Sequence, residues 1–240
     1  MTASSEMTPR LTSQSITLRI VLTAVFTALV TVATVILVIS LPAAGGFFNL
    51  GEAMIYITAL LLGPISGGIA GGVGAMLGDL ILGFPLYAPA TIVIKFLEGL
   101  VVGFLFNKLK KGMTDESLRS RKTTIRILQS GFLIGAVVII VGVNADPADT
   151  LFWVIIGSLF ICTAFISILL KKVPIYYMII SIIPGGAIMV TGYLLYSTFV
   201  LLYPGAYLNL PFDTLQTLIG LVIAVPVYQA LLKAGVVQRI

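Results

Sequence analysis

The chain has 240 residues, 59% of them apolar and 10% charged, with a mean hydropathy of +1.14. Soluble domains carry about 25% charged residues, so this composition excludes a water-soluble globular protein and points to a polytopic helical membrane protein. The net charge of +5 reads as a topology signal and not as a nucleic-acid footprint, because the basic residues cluster beside the ends of apolar runs.

No charge separates Arg19 from Glu52, Arg126 from Asp146, Asp149 from Lys171 or Lys172 from Asp213. Each gap holds a helix of about 20 residues, enough to span the hydrocarbon. Residues 1–17 are polar and are predicted to form a cytoplasmic tail. The first apolar segment, Leu18–Leu41, exceeds the roughly 7–15 residues of a signal-peptide core and reads as an uncleaved helix. It carries Ala24 and Ala28 four apart among Thr23, Thr27 and Thr31. That small-xxx-small spacing suits either packing inside the bundle or close approach of a partner helix.

Asn49-Leu-Gly-Glu52 has the pattern of a capping box, with Asn49 as N-cap and Glu52 at N3. Gly63-Pro64 then divides the next apolar run. If the run were one span, the basic cluster after residue 107 would lie opposite Arg10 and Arg19; two helices place all of them on one side, as the positive-inside rule requires. The second of these helices, about Ile65–Leu82, has Gly67, Gly71, Gly74 and Gly78 on one face. Such a face suits tight packing or close approach by a ligand. Asp79 sits about a turn from its end.

Phe84-Pro85 breaks the chain, and a helix over Ala88–Asn107 follows with Thr91, Lys95, Glu98 and Val102 on one face. Lys108, Lys110, Lys111, Arg119, Arg121, Lys122 and Arg126 mark a cytoplasmic loop. Two more helices are expected over Ile127–Val143 and Leu151–Leu170. A long apolar segment, Pro174–Tyr203, is expected to straighten at Pro184-Gly185-Gly186, and the last helix is placed over Asp213–Leu232. Asp213 and Gln216 resemble a second capping box.

This arrangement puts thirteen of the fourteen basic residues in the cytoplasm and buries one, Lys95. It predicts an all-α bundle of about eight helices with both termini cytoplasmic. Its sections are a tail (1–17), four helices that form a pocket wall (18–109), a basic loop (110–126), a helix pair (127–172) and two final helices (173–240).

The costly residues are the informative ones. A charge at the bilayer centre costs about 2.5–3.5 kcal/mol on insertion scales, yet Glu52, Asp79, Lys95 and Glu98 stand in apolar segments. In the predicted topology Asn49, Glu52, Asp79, Tyr87, Lys95, Asn209, Asp213 and Gln216 fall near the outer rim, with Glu98 a turn deeper. Tyr193 and Tyr196 share a side of their segment. Polar groups converging in an apolar wall describe a small-molecule pocket. For Lys95 and Glu98 the alternative is a structural i,i+3 pair.

The chain lacks histidine and has one cysteine, Cys162, which excludes a Cys/His zinc site and an intrachain disulfide. There is no HExxH, GxSxG or P-loop motif. An enzyme is therefore disfavoured, no cofactor is implied, and any ATP-driven transport needs another subunit.

Asn49-Leu-Gly-Glu52, the run from Gly63-Pro64 to Gly78-Asp79, Tyr87-Ala-Pro89, Lys95-Phe-Leu-Glu98-Gly99, Gly192-Tyr193, and Pro211-Phe212 with Gln216 and Gly220 occur in an order and spacing that resembles the S component of energy-coupling factor (ECF) transporters. The resemblance is to the riboflavin-type branch, which includes hydroxymethylpyrimidine-type transporters.

It implies a six-helix core with the pair at 127–172 inserted. It implies capture of a water-soluble vitamin or precursor, flavin or pyrimidine type favoured, at the outer face. The implied substrate-binding residues are Asn49, Glu52, Asp79, Tyr87, Lys95, Glu98, Tyr193, Asn209, Asp213 and Gln216. The implied partners are a transmembrane T component, which would meet Ala24 and Ala28, and two ATPase subunits. Asp213 stands where asparagine is expected after Pro-Phe, and Ser197 where an acid often follows the Gly-Tyr segment. A stand-alone ion-coupled carrier and a non-binding assembly subunit are the competing readings.

Overall fold

The structure, a computed structural model, describes residues 8–41, 46–111 and 173–234. The basic loop at 112–126 and the helix pair expected over 127–172 lie outside the described residues, as do residues 1–7 and 235–240. The described chain forms six α-helices: α1 (Thr8–Ile36), α2 (Gly51–Leu62), α3 (Pro64–Leu82), α4 (Ala88–Lys111), α5 (Val173–Leu195) and α6 (Leu210–Lys233). All but α2 contain a stretch long and apolar enough to cross a membrane. This is an all-α polytopic bundle.

Several boundaries differ from those the apolar pattern suggests. Helix α1 begins at Thr8, not Leu18, and stops at Ile36, because Ile39–Leu41 (β1) pairs antiparallel with Gly46–Phe48 (β2). The first strand of that hairpin takes the end of the segment expected to be helical, and its second the residues just before Asn49. At the other side of the bundle α5 runs unbroken through Pro184, and five residues of π-helix, Tyr196–Val200, extend it. Proline in a membrane helix is tolerated where neighbours satisfy the freed backbone.

The break between α2 and α3 is local chemistry. Gly63 adopts φ +88°, a conformation that an L side chain resists, and Pro64 opens α3 with its φ already set. With 12 residues α2 reaches only about 18 Å. Its Leu62 carbonyl accepts a hydrogen bond from Arg19 Nη2 at 3.3 Å. This fixes one end of the bundle as the end of Arg19, Gly63 and Asn107.

The glycines of α3 serve packing, and they work on more than one face. A Cβ on Gly71 would lie 2.8 Å from the Lys95 carbonyl oxygen of α4, one on Gly74 2.7 Å from the Thr27 carbonyl of α1, and one on Gly72 2.6 Å from the Ile92 carbonyl. Helix α3 therefore sits at backbone contact between α1 and α4. Thr23 and Thr31 of α1 add hydrogen bonds to Ser66 and to the Gly74 carbonyl.

The main core packs Ile55 and Tyr56 of α2 against Val102, Met178, Ile182 and Leu221. A smaller cluster of Ala90, Ile94 and Met189 lies under Tyr193 and Tyr196. On α1, Ala24 and Ala28 are exposed beside Val21, Val25 and Leu29, while Val30 and Thr34 turn inward. Among the described residues the alanine pair is thus outside the internal packing.

Candidate functional site

One cavity occupies the end of the bundle opposite Arg19 and Asn107, with about 600 Å³ of empty space when its open mouth is included. Its walls come from the starts of α2, α4 and α6, the ends of α1, α3 and α5, and β2. It brings together Asn49, Glu52, Asp79, Tyr87, Lys95, Tyr193, Asn209, Asp213 and Gln216, nine of the ten residues singled out by sequence. Glu98 is the exception. It lies fully buried outside the lining and supports Lys95 from behind.

Lys95 organises the polar network. Its ammonium donates to Glu52 Oε1 and lies 3.2 Å from Glu98 Oε2, so the expected i,i+3 pair with Glu98 forms but is joined by a second carboxylate 43 residues away. The Tyr193 ring faces the same ammonium at 5.5 Å. The Tyr56 hydroxyl donates to Glu98 Oε1 at 2.8 Å, and Gln216 Nε2 donates to Glu52 Oε1 at 2.8 Å. Gln216 Oε1 in turn accepts from the Asn49 backbone N–H at 2.9 Å. Glu52 Oε2 and Glu98 Oε2 are buried with no other donor, and the two carboxyl groups lie within hydrogen-bonding reach of each other.

Both capping-box expectations fail here, for one reason. Leu50 is the N-cap of α2 and Asn209 that of α6, and neither caps through its side chain. Asn49 accepts from the Gly51 N–H at 2.8 Å, while Glu52 turns to Lys95. A charge-assisted bond in a water-poor interior is stronger than a neutral backbone cap. Leu210 and Pro211 open α6 ahead of Asp213, which leaves Gln216 in the next turn, free to bridge Asn49 and Glu52.

A second chain of bonds runs up α4. Thr91 donates to Asp79 Oδ2 at 2.5 Å and lies 2.8 Å from the Tyr193 hydroxyl. With the single Thr91 proton committed to Asp79 Oδ2, Tyr193 is the donor to Thr91. At the mouth the Tyr87 ring meets Tyr193 and Tyr196 at 6.4 and 6.1 Å between centroids, and Tyr196 donates to the Leu86 carbonyl at 2.6 Å. Phe47 of β2 stacks on Phe84 at 4.8 Å.

Thr91, Tyr56, Thr34 and Phe47 are the site or supporting residues that sequence reasoning did not select. For Thr91 a signal existed, since it stands one turn before Lys95 on the same face. The other three carry no local mark. Among the described residues no cluster of three or more His, Cys, Asp or Glu could hold a metal ion.

A bundle of apolar helices with an acid- and amide-lined cavity at one end defines a solute-binding membrane protein of the transport class. The chain belongs to the family of ECF-type riboflavin transporter S components, whose family model matches residues 14–176. That family is one of transporter subunits and not of enzymes. The chain is also 42% identical, over 113 residues, to an uncharacterized protein in gap 3'region of Pyrococcus woesei; the match covers 47% of this chain and 67% of that protein.

Proposed function

We propose that this chain captures a small water-soluble vitamin or precursor, of flavin or pyrimidine type, at the outer face of the cell membrane, and hands it on through a T component driven by two ATPase subunits. The observation that carries the reading is the convergence of side chains from separate helix ends on one cavity, at the end away from exposed Lys108 and Lys110. By the positive-inside rule those lysines mark the cytoplasm, which turns the cavity outward and keeps both termini inside. Substrate would be held by Asn49, Glu52, Asp79, Tyr87, Lys95, Tyr193, Asn209, Asp213 and Gln216, with Glu98 fixing Lys95. Ala24 and Ala28 supply a small-residue face against which a T-component helix can pack closely.

A thermal-shift screen of the purified chain against water-soluble vitamins tests capture. A ligand at about 100 times its dissociation constant adds about 2.7 kcal/mol of stability, so one heterocycle is expected to raise the melting temperature clearly. Proteoliposomes test energy coupling. Accumulation only when T and ATPase subunits are reconstituted together supports the proposal, whereas gradient-driven accumulation by this chain alone, without ATP, makes it a secondary carrier.

A further inference from the structure

We propose that Ser197 is a further ligand-contacting residue of the cavity, its hydroxyl donating to a ring nitrogen or ring carbonyl of the captured heterocycle. The proposal rests on the capture reading above and adds to it a residue that helps decide which ring is held.

Among the described residues seven serine and threonine side chains are buried, and six of them are satisfied within the protein. Thr34, Thr58, Ser181 and Thr217 donate to backbone carbonyls of the preceding turn, Ser66 accepts from Thr23, and Thr91 donates to Asp79. Ser197 is the seventh. It is 2% exposed and lines the cavity, yet among the described residues its hydroxyl has no hydrogen-bond partner. A buried hydroxyl left unpaired gives up its hydration without compensation, so one at a cavity wall is poised for what enters there.

The backbone explains why Ser197 differs. It lies in the π-helical stretch Tyr196–Val200, on the line of Met189, Tyr193 and Ser197 that α5 and its extension turn toward the cavity. In an α-helix a serine hydroxyl can bond the carbonyl four residues back, as Ser181 does to Tyr177. In the π turn the backbone pairing shifts to five residues, here from the Leu201 N–H to the Tyr196 carbonyl. The Tyr203 N–H then closes on the Ser197 carbonyl at 2.9 Å, with Leu202 held at φ +51° between them. Leucine is strained in that left-handed conformation, and such strain gathers at ligand sites. These bonds fix the Ser197 backbone and leave its side chain unspent.

The spare proton sets the kind of ligand atom. A hydroxyl has one proton to give, and here no described acceptor takes it. The same wall already carries acceptors in Glu52, Asp79 and Asp213, whereas Ser197 brings a neutral donor. Flavin and pyrimidine rings offer matching acceptors, ring nitrogens in both and ring carbonyls in the flavin.

The test titrates riboflavin and hydroxymethylpyrimidine into the purified full-length chain by calorimetry, with thermal unfolding of the ligand-free protein as a second reading. Ser197→Ala is expected to weaken binding of whichever probe the parent holds by about five- to tenfold. Its ligand-free melting temperature should match that of the parent, because no hydrogen bond within the protein is lost. Ser197→Asp, which replaces a donor by an acceptor, should bind more weakly still. Thr198→Ala, which deletes the neighbouring exposed hydroxyl, should leave affinity unchanged.

Unchanged affinity in Ser197→Ala overturns the contact while leaving capture intact. So does a loss of affinity that comes with loss of ligand-free stability or of folding, which would make Ser197 a packing residue, and so does an equal loss in Thr198→Ala. Binding by Ser197→Asp as tight as that of the parent overturns the donor role. A parent that binds neither probe overturns capture of these rings, and the role of Ser197 with it.

Discussion

Lys95 sets the terms for every other charge in the site. An ammonium among apolar helices persists only where partners repay its lost hydration, and here two carboxylates and an aromatic face do so. Lys95→Met removes the cation and leaves Glu52 and Glu98 facing each other; a loss of about 3–5 kcal/mol is expected on breaking such a pair. Glu52→Gln is milder, because Glu98 still holds Lys95 and the new amide can still meet Gln216. Chemical unfolding in detergent micelles should therefore rank Lys95→Met well below Glu52→Gln; equal losses would show that Glu98 does not hold the ammonium alone. Thr91 is the second critical residue. Thr91→Val strips Asp79 of its donor and Tyr193 of its acceptor, an expected cost of about 1–3 kcal/mol, and substrate affinity measured by titration should fall with it, whereas Thr91→Ser should keep both bonds.

At the scale of elements, the glycines of α3 divide into those that fill space and one that turns the chain. Gly83 ends the helix at φ +83° in open space, where an added Cβ would meet nothing within 4 Å, while its N–H and that of Phe84 return to the Leu80 and Asp79 carbonyls. Gly83→Ala then meets only left-handed strain, about 1–2 kcal/mol. Gly72→Ala would drive a methyl to 2.6 Å from the Ile92 carbonyl, which belongs to backbone and cannot swing aside. Its effect should exceed that of Gly83→Ala and should appear as separation of α3 from α4, read as a larger drop in melting temperature; the reverse order would mean that the helix contact is looser than its geometry implies. Gly67, Gly71, Gly74 and Gly78 were legible in the sequence because their spacing follows the helical period, as were the Gly63-Pro64 break and the charge-free spans; Gly72 and Gly83 fall off that face and were not. Helix ends and pair partners were not. Asn49-Leu-Gly-Glu52 satisfies a local capping rule, but its real partners, Lys95 and Gln216, lie 43 and 164 residues from Glu52, and short-range pattern carries no information at that distance. Asp79 and Lys95 were found because charge in an apolar run is conspicuous; Phe47 and Thr34 were missed because an apolar or hydroxyl residue there looks like any other lipid-embedded side chain.

For the whole molecule, the question is how one bundle could present a pocket at one end and the proposed docking face along its side without the two interfering. Helix α1 separates these tasks around its circumference. Thr23, Thr31 and Thr34 face α3 and the cavity, and Ala24 and Ala28 face away among Val21, Val25 and Leu29. Among the described residues, a substitution on the outer face therefore touches neither the core nor the pocket. In the double variant Ala24→Leu with Ala28→Leu, added bulk meets lipid in the isolated chain, so folding stability should stay within about 0.5 kcal/mol, and ligand titration of the purified protein should match the parent. Against a partner helix the same bulk is decisive, because close approach depends on the small side chains. Vitamin uptake by cells or proteoliposomes that contain the full complex should be abolished, and co-purification of the T component with this chain should be lost. Uptake and co-purification both undiminished in that variant would move the docking surface to another face of the bundle while leaving the cavity, and the argument for what it holds, untouched.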